Sequence, residues 1–232
     1  MDIFSALFWI ALLKIIGVNI ILSGDNAVVI ALAARSLPPT QQKQAIFWGS
    51  GAAIVLRIVL TIFAVALLQF AWLKLVGAAL LLWIGIQLLA DESDGDGREK
   101  AHASLFDAIK TILIADLVMS LDNVIAVAAA AKGDWVLVII GLAISIPLII
   151  YASTILIKVM EKYPVVITIG AALIGWVAGE MAWDEQVIRP FTSQYPQWFE
   201  YMAAVVGALV VVGSGKVLAA RKQSPRETAN NN

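Results

Sequence analysis

The chain repeats one short polar pattern inside apolar sequence, first as Asn19-Ile-Ile-Leu-Ser-Gly-Asp-Asn26 and 97 residues later as Asp116-Leu-Val-Met-Ser-Leu-Asp-Asn123. Both copies place a Ser-x-Asp-Asn motif within a long hydrophobic segment. A charged side chain at the centre of a membrane helix costs about 2.5–3.5 kcal/mol, so it is seldom present without a use. The pattern therefore predicts two related membrane helices that each carry part of a polar site.

Composition places nearly the whole chain in one apolar environment. Of its 232 residues, 61% are hydrophobic and 14% are charged, whereas soluble domains carry roughly 25% charged residues. The net charge of −1 indicates no strongly acidic or basic partner, and we expect no nucleic-acid binding. The absence of cysteine excludes disulfides and thiolate metal sites.

Seven apolar segments are long enough to cross a bilayer, which takes about 20 residues. They are Phe4–Ala34, Ala45–Leu68, Ala71–Ala90, Ile109–Ala131, Trp135–Ile157, Val165–Trp183 and Phe199–Ala220. The sequence thus predicts an all-α polytopic membrane protein with one transmembrane domain over residues 1–222 and a disordered tail over 223–232. The first segment is about 46 Å long at 1.5 Å per residue. It exceeds a bilayer core of about 30 Å, and Gly24 is the natural place for a break.

The polar pattern also marks an internal repeat of three helices. A second match aligns Gly77-Ala-Ala-Leu and Trp83 with Gly170-Ala-Ala-Leu and Trp176. Repeat one then covers about 4–90, repeat two about 104–183, and an extra helix about 199–220 stands outside them. Because three is odd, the repeats must be inverted in the membrane, an arrangement that places a transporter's substrate site near the midplane. Chance similarity of apolar sequence is the alternative.

Lys and Arg residues orient the predicted bundle. With the N-terminus outside and the C-terminus in the cytoplasm, eleven of them lie on the cytoplasmic side and three on the outer side. Short cytoplasmic loops carry the excess of these residues in membrane proteins. The sequence therefore predicts an outside N-terminus and a cytoplasmic C-terminus.

The predicted site is built from oxygen ligands. Asp25 with Asn26, and Asp122 with Asn123, lie deep in the first and fourth segments. Carboxylate and amide oxygens suit Mg²⁺, Ca²⁺ and Mn²⁺. Asp116 adds a third carboxylate, and we assign it to carrying a proton because three carboxylates exceed the charge of one divalent cation. The supporting residues are Asn19, Ser23, Ser120, Arg57 and Glu180.

Each of these residues has an alternative interpretation. The aspartates could be neutral groups that hydrogen-bond neighbouring helices. Arg57 is either displaced from a site aspartate by the ion or remains in a permanent ion pair. Glu180 either lines an exit path or is an interfacial carboxylate.

The doubled motif resembles the TerC family of integral membrane proteins. The stretches Asn19–Arg35 and Asp116–Ala128 look like its YjbE-type subgroup, and the resemblance covers essentially all seven segments. It implies a bacterial plasma (inner) membrane protein of the LysE transporter superfamily with Mn²⁺ as exported substrate. It assigns the site to Asp25, Asn26, Asp122 and Asn123, and to Asp116. Leu121 replaces the Gly24 of the first copy, so the fourth helix is expected to be less broken.

The predicted function is export of a divalent cation, Mn²⁺ first, by alternating access at a midplane site. Proton coupling and assembly into a homo-oligomer stay open. The alternatives are a LysE-type exporter of amino acids or another solute, an intramembrane aspartyl protease, and a scaffold that delivers metal to a partner at the outer face. The Gly-x-Gly-Asp pattern of that protease class is absent. We expect no enzyme activity and no permanently bound cofactor, and the lipid bilayer and the metal ion as partners.

Overall fold

The structure is a computed structural model that describes residues 6–21, 24–63, 70, 72–91, 104–131 and 134–229. Within these ranges the regular elements are all helices, which agrees with the predicted all-α class. They are α1 (Ala6–Ile21), α2 (Gly24–Ala34), α3 (Pro39–Ile62), α4 (Leu73–Ala90), α5 (Leu105–Ala131), α6 (Trp135–Lys162), α7 (Val165–Trp183), α8 (Arg189–Thr192) and α9 (Trp198–Ala229).

Five described segments are long and apolar enough to cross a membrane. They are Pro39–Ile62, Leu73–Ala90, Val138–Lys162, Val165–Trp183 and Trp198–Arg221. The helix α5 has 27 residues, which is sufficient length, but it carries Asp107, Lys110, Asp116 and Asp122. These helices make the chain a polytopic membrane protein, and the total of seven spans stays a prediction.

The fourth predicted segment is continuous helix through Leu121. In the first segment α1 ends at Ile21 and α2 begins at Gly24, and residues 22 and 23 lie outside the described residues. The break expected at Gly24, where the chain has the most backbone freedom to lose, therefore stays a prediction.

One compact unit consists of Met1–Phe70 and Leu105–Ile157. In it α3 and α5 lie side by side and run in the same direction, since Gly49 meets Ile112 and, 11 and 12 residues further along, Leu60 packs with Val124. A second cluster joins α1 and α3 to α6 through Phe8, Leu12, Ile15, Ile54, Val138 and Leu142. A short connection leads from α2 to α3. In it the Leu37 N–H donates a hydrogen bond to the Ala34 carbonyl oxygen.

The other compact unit consists of Ala71–Ser104 and Lys158–Asn232. The helices α4 and α7 are antiparallel, because Lys74 contacts Asp184 at one end and Gly85 lies beside Ile174 further in. The helices α7 and α9 are also antiparallel. A Cβ atom added to Gly175 would lie 2.5 Å from the carbonyl oxygen of Gly207, so the two backbones touch there. Small residues allow such close approach between membrane helices.

A buried carboxylate holds the start of α4. Glu185 is 1% exposed, and its Oε2 accepts the Lys74 N–H at 2.9 Å while its Oε1 accepts the Gln186 N–H at 2.7 Å. The Lys74 ammonium also pairs with Asp184 at 2.7 Å. The first N–H groups of a helix have no partner within that helix, so Glu185 supplies the acceptor that α4 needs.

The last helix, α9, is longer than the predicted extra helix, and the disordered tail over 223–232 stays a prediction. The helix α9 continues to Ala229, beyond the predicted end of the extra helix near residue 220. Arg, Lys and Gln favour helix, and Arg221, Lys222 and Gln223 follow the apolar part directly. The single domain over 1–222 remains a prediction, since the contacts divide the chain into the two units above.

Candidate functional site

A buried polar network joins α3 to α5 in the first unit. Arg57 is 1% exposed and Asp116 is 6% exposed. The Nη2 atom of Arg57 donates to Oδ1 of Asp116 in an ion pair. The Arg57 Nε donates to the Ser120 hydroxyl at 2.9 Å, and that hydroxyl donates to Oδ2 of Asp116 at 3.2 Å. The three side chains therefore form a closed ring of polar contacts.

Helical spacing explains why α5 can supply this network. Asp116, Ser120 and Asn123 follow an i, i+4, i+7 spacing, so they share one face of the helix. Ser120 and Asn123 are both buried, like Asp116. At 3.6 residues per turn, Asp122 lies roughly 120° around the helix from Asp116. The side chain of Asp122 is outside the described part of the structure.

Asp25 lies in the first turn of α2 and is half-buried. Its Oδ1 accepts the backbone N–H of Asn26 at 2.7 Å. A carboxylate is favoured at a helix N-terminus because the free N–H groups carry partial positive charge there. Asp25 is also attracted electrostatically by Arg57 and repelled by Asp116, so the three charges belong to one neighbourhood.

Asn26 is the most informative neutral side chain of the site. It is 3% exposed, and neither its Oδ1 nor its Nδ2 has a hydrogen-bond partner among the described atoms. A buried polar group left unpaired costs about 1–3 kcal/mol. The amide oxygen of Asn26 and the carboxylate of the preceding residue, Asp25, are both hard ligands of the kind that binds divalent cations.

The structure assembles part of the predicted site. Asp25, Asn26, Asp116, Asn123, Ser120 and Arg57 all fall in the first unit. Asn19 and Asp122 have side chains outside the described set, and Ser23 lies outside the described residues. Among the side chains that are described, no group of three or more His, Cys, Asp or Glu stands close enough to hold a metal. The pairing of Asp25 with Asp122 around one ion therefore stays a prediction.

Glu180 lies in the second unit, on α7. It is half-buried, and its Oε1 accepts the indole N–H of Trp176, one turn earlier on the same helix, at 2.7 Å. The proposed part of Glu180 in an exit path stays a prediction.

Sequence reasoning missed one buried hydroxyl in the first unit. Ser50 on α3 is 1% exposed, and its Oγ has no hydrogen-bond partner in the described region. It precedes Arg57 by two helical turns. The available signal was a serine between Gly49 and Gly51 in an apolar helix, which is a weak one.

Comparison with known proteins identifies the family. Residues 4–223 match the family described as integral membrane protein TerC. The membrane protein YjbE of Bacillus subtilis (strain 168) is 42% identical over 207 residues, which cover 89% of this chain and 94% of that protein. The membrane protein YkoY of the same strain is 26% identical over 231 residues, covering 88% and 71%. The inner membrane protein YgdQ of Escherichia coli (strain K12) is 22% identical over 212 residues, covering 84% and 87%.

No solved structure matches the chain. The family match nevertheless extends over almost all of the sequence, including both copies of the Ser-x-Asp-Asn motif. It agrees with the apolar helices described above, and it confirms the family that the doubled motif predicted. The chain therefore belongs to the TerC family of integral membrane proteins.

Proposed function

We propose that this TerC-family protein exports a divalent metal cation, Mn²⁺ first, from the cytoplasm across a bacterial plasma membrane. The observation that carries the proposal is the buried amide of Asn26, which has no partner among the described atoms, together with the half-buried carboxylate of the preceding residue, Asp25. Hard oxygen ligands of this kind suit Mn²⁺, Mg²⁺ and Ca²⁺. The choice of Mn²⁺ rests on the resemblance to the family. Asp122 and Asn123 complete the site in this proposal.

The register of α4 against α7 supports the inverted repeat. Lys74 contacts Asp184, and Gly85 lies beside Ile174, so Trp83 and Trp176 stand at the same level in this antiparallel pair. These two tryptophans are also equivalent in the repeat alignment. A two-fold axis in the membrane plane exchanges equivalent residues, so where two antiparallel helices cross on the axis, the equivalent residues at the crossing point lie level with each other.

This register favours alternating access between two inverted repeats of three spans each. In the proposal, α1 and α2 form the first span, α5 forms the fourth, and α9 forms a seventh outside the repeat. The N-terminus lies outside and the C-terminus in the cytoplasm, as the distribution of Lys and Arg indicates.

Export of a divalent cation needs an energy source. Moving two positive charges outward against 100 mV costs about 4.6 kcal/mol, at about 2.3 kcal/mol per charge. Passive export would then need a cytoplasmic excess of roughly three orders of magnitude. Inward flow of protons supplies the required energy in this proposal. The protein is a transporter in this proposal and performs no enzymatic reaction.

The test is the manganese content of an exporter-deficient bacterium after a manganese challenge. The strain expresses the native chain, Asp25→Asn or Asp122→Asn at matched membrane levels, and cellular manganese is measured by elemental analysis. We expect low manganese with the native chain and the level of the empty strain with both variants. The control is Asp107→Asn, an exposed carboxylate in the first turn of α5, which should export like the native chain.

Equal manganese in all strains would remove manganese export as the function. Measuring magnesium, calcium and free amino acids in the same cells then separates another cation from a LysE-type organic solute. If expression of the native chain changes the cellular level of none of these solutes, the result favours the hypothesis of a scaffold that passes metal to a partner.

A further inference from the structure

We propose that Arg57 is the permanent counter-ion of Asp116 and thereby sets the charge of the cation site to match a divalent ion. This inference rests on the function proposed above. The positive charge of Arg57 then balances the third carboxylate, in place of the proton on Asp116 that the sequence predicted. Arginine is suited to this task because its guanidinium stays protonated in proteins.

The geometry ties Asp116 into a helix contact. Both of its carboxylate oxygens are engaged, one by the Arg57 guanidinium and the other by the Ser120 hydroxyl. Ser120 in turn accepts from Arg57 Nε, so the arginine contacts α5 at two points. The pair is almost completely buried. Separating a buried pair leaves an uncompensated charge, which is strongly unfavourable, so the contact persists while a cation binds and leaves.

Asp25 has a different environment from that of Asp116. Asp25 is half-buried, and its described acceptor contact is with the N–H of the next residue at the start of α2. Asp122 follows Asp116 by six residues, about 120° around the axis of α5. Asp116 therefore belongs to the contact between α3 and α5, and in this proposal Asp25 and Asp122 are the carboxylates that meet the cation.

The charges of the site then match a divalent ion. In their ionised forms the three aspartates Asp25, Asp116 and Asp122 carry three negative charges, and Arg57 contributes one positive charge. Two negative charges remain, however the guanidinium divides its contacts among the carboxylates. One divalent cation neutralises them in a low-dielectric site, where an unbalanced charge is costly. A monovalent cation would leave one negative charge.

The experiment compares single and double replacements in purified full-length protein. The variants are Arg57→Gln, Asp116→Asn, and Arg57→Gln with Asp116→Asn, with Asp25→Asn as the reference for a lost ligand. Binding of Mn²⁺ is measured from the electron paramagnetic resonance signal of the free ion, and Mn²⁺ flux is measured in proteoliposomes. Melting temperatures in detergent report folding.

We expect Asp116→Asn to weaken Mn²⁺ binding by about tenfold or more, because the guanidinium then repels the cation without compensation. The double variant restores the net charge, so it should recover binding to within about threefold of the native chain. It should also melt at a higher temperature than either single variant. Asp25→Asn should lose binding.

A folded double variant that binds Mn²⁺ no better than Asp116→Asn would overturn the inference, because Asp116 would then act on the cation directly. If the native protein neither binds nor transports Mn²⁺, both the proposed function and the inferred match between the charge of the site and a divalent ion are wrong. The counter-ion pair is judged separately, by the melting temperatures. A double variant less stable than both single variants would contradict it.

Discussion

The first unit joins α3 to α5 through the side chains of Arg57, Asp116 and Ser120, whereas the second unit joins α7 to α9 by direct backbone contact at Gly175 and Gly207. Lipid is as apolar as most membrane helices, so helices associate by close packing and by polar contacts between them. In this chain polar contacts join α3 to α5, and close backbone packing joins α7 to α9.

The difference separates two kinds of specificity. A side-chain network responds to the charge of its members, so the first unit is where a cation can be selected. A backbone contact responds to shape and has no side chain that can rotate away. The second unit should therefore tolerate changes of charge better than the addition of a single methyl group.

The largest effect is expected at Gly207. A Cβ atom there would overlap the carbonyl oxygen of Gly175, which belongs to the backbone and cannot rotate away. We expect Gly207→Ala to lower the free energy of unfolding by about 3 kcal/mol, the upper part of the range for overpacking. The measurement is an unfolding titration in mixed micelles. The control is Gly213→Ala on the same helix, where an added Cβ meets nothing within 4 Å. Equal losses in both variants would show that the backbone contact is not what stabilises α9.

An intermediate effect is expected at the start of α4. Glu185→Ala removes the acceptor of the Lys74 and Gln186 N–H groups, and we expect a loss of about 1–2 kcal/mol, as for other helix caps. The neighbouring Asp184→Ala removes only the exposed ion pair with Lys74, which is worth about 0–1 kcal/mol. The same titration compares them. A larger loss from Asp184→Ala would show that the ion pair, not the cap, stabilises this end.

The smallest effect is expected at Gly49 in the first unit. A Cβ atom there would lie 2.9 Å from Cδ1 of Ile112, a side-chain end that can rotate aside. Alanine also favours a helix interior over glycine by about 1 kcal/mol. Gly49→Ala should therefore change the free energy of unfolding by less than about 1 kcal/mol in the same titration. A loss as large as that of Gly207→Ala would remove the contrast between the units.

The sequence predicted the helices well because long apolar segments leave few alternatives in a membrane. The continuous helix at Leu121 agrees with the expectation from that residue. The Asp–Asn pairs could be found because polar residues stand out in apolar sequence. The sequence indicated an ion pair of Arg57 but not its partner Asp116, because 59 residues separate the two and no local pattern specifies which helices become neighbours.

Other features had a weaker signal or none. The acceptor role of Glu185 depends on the start of α4 lying beside the end of α7, which no local pattern specifies. The Gly175 and Gly179 spacing indicates a close helix contact, but it does not identify α9 as the partner. The Ser50 hydroxyl, which has no partner among the described atoms, becomes visible only when its burial is known.

The cap of α4 also has a consequence for the timing of biosynthesis. The Lys74 amide and the Glu185 carboxylate that accepts from it are 111 residues apart in the chain. At about 5–20 residues per second, the ribosome makes the carboxylate roughly 6–22 s after the amide. Throughout that interval, water, lipid headgroups or the insertion machinery must accept the hydrogen bonds of the N–H groups in the first turn of α4. Assembly of the second unit therefore cannot follow the order of translation, because its earliest helix is completed by a residue made only after α7.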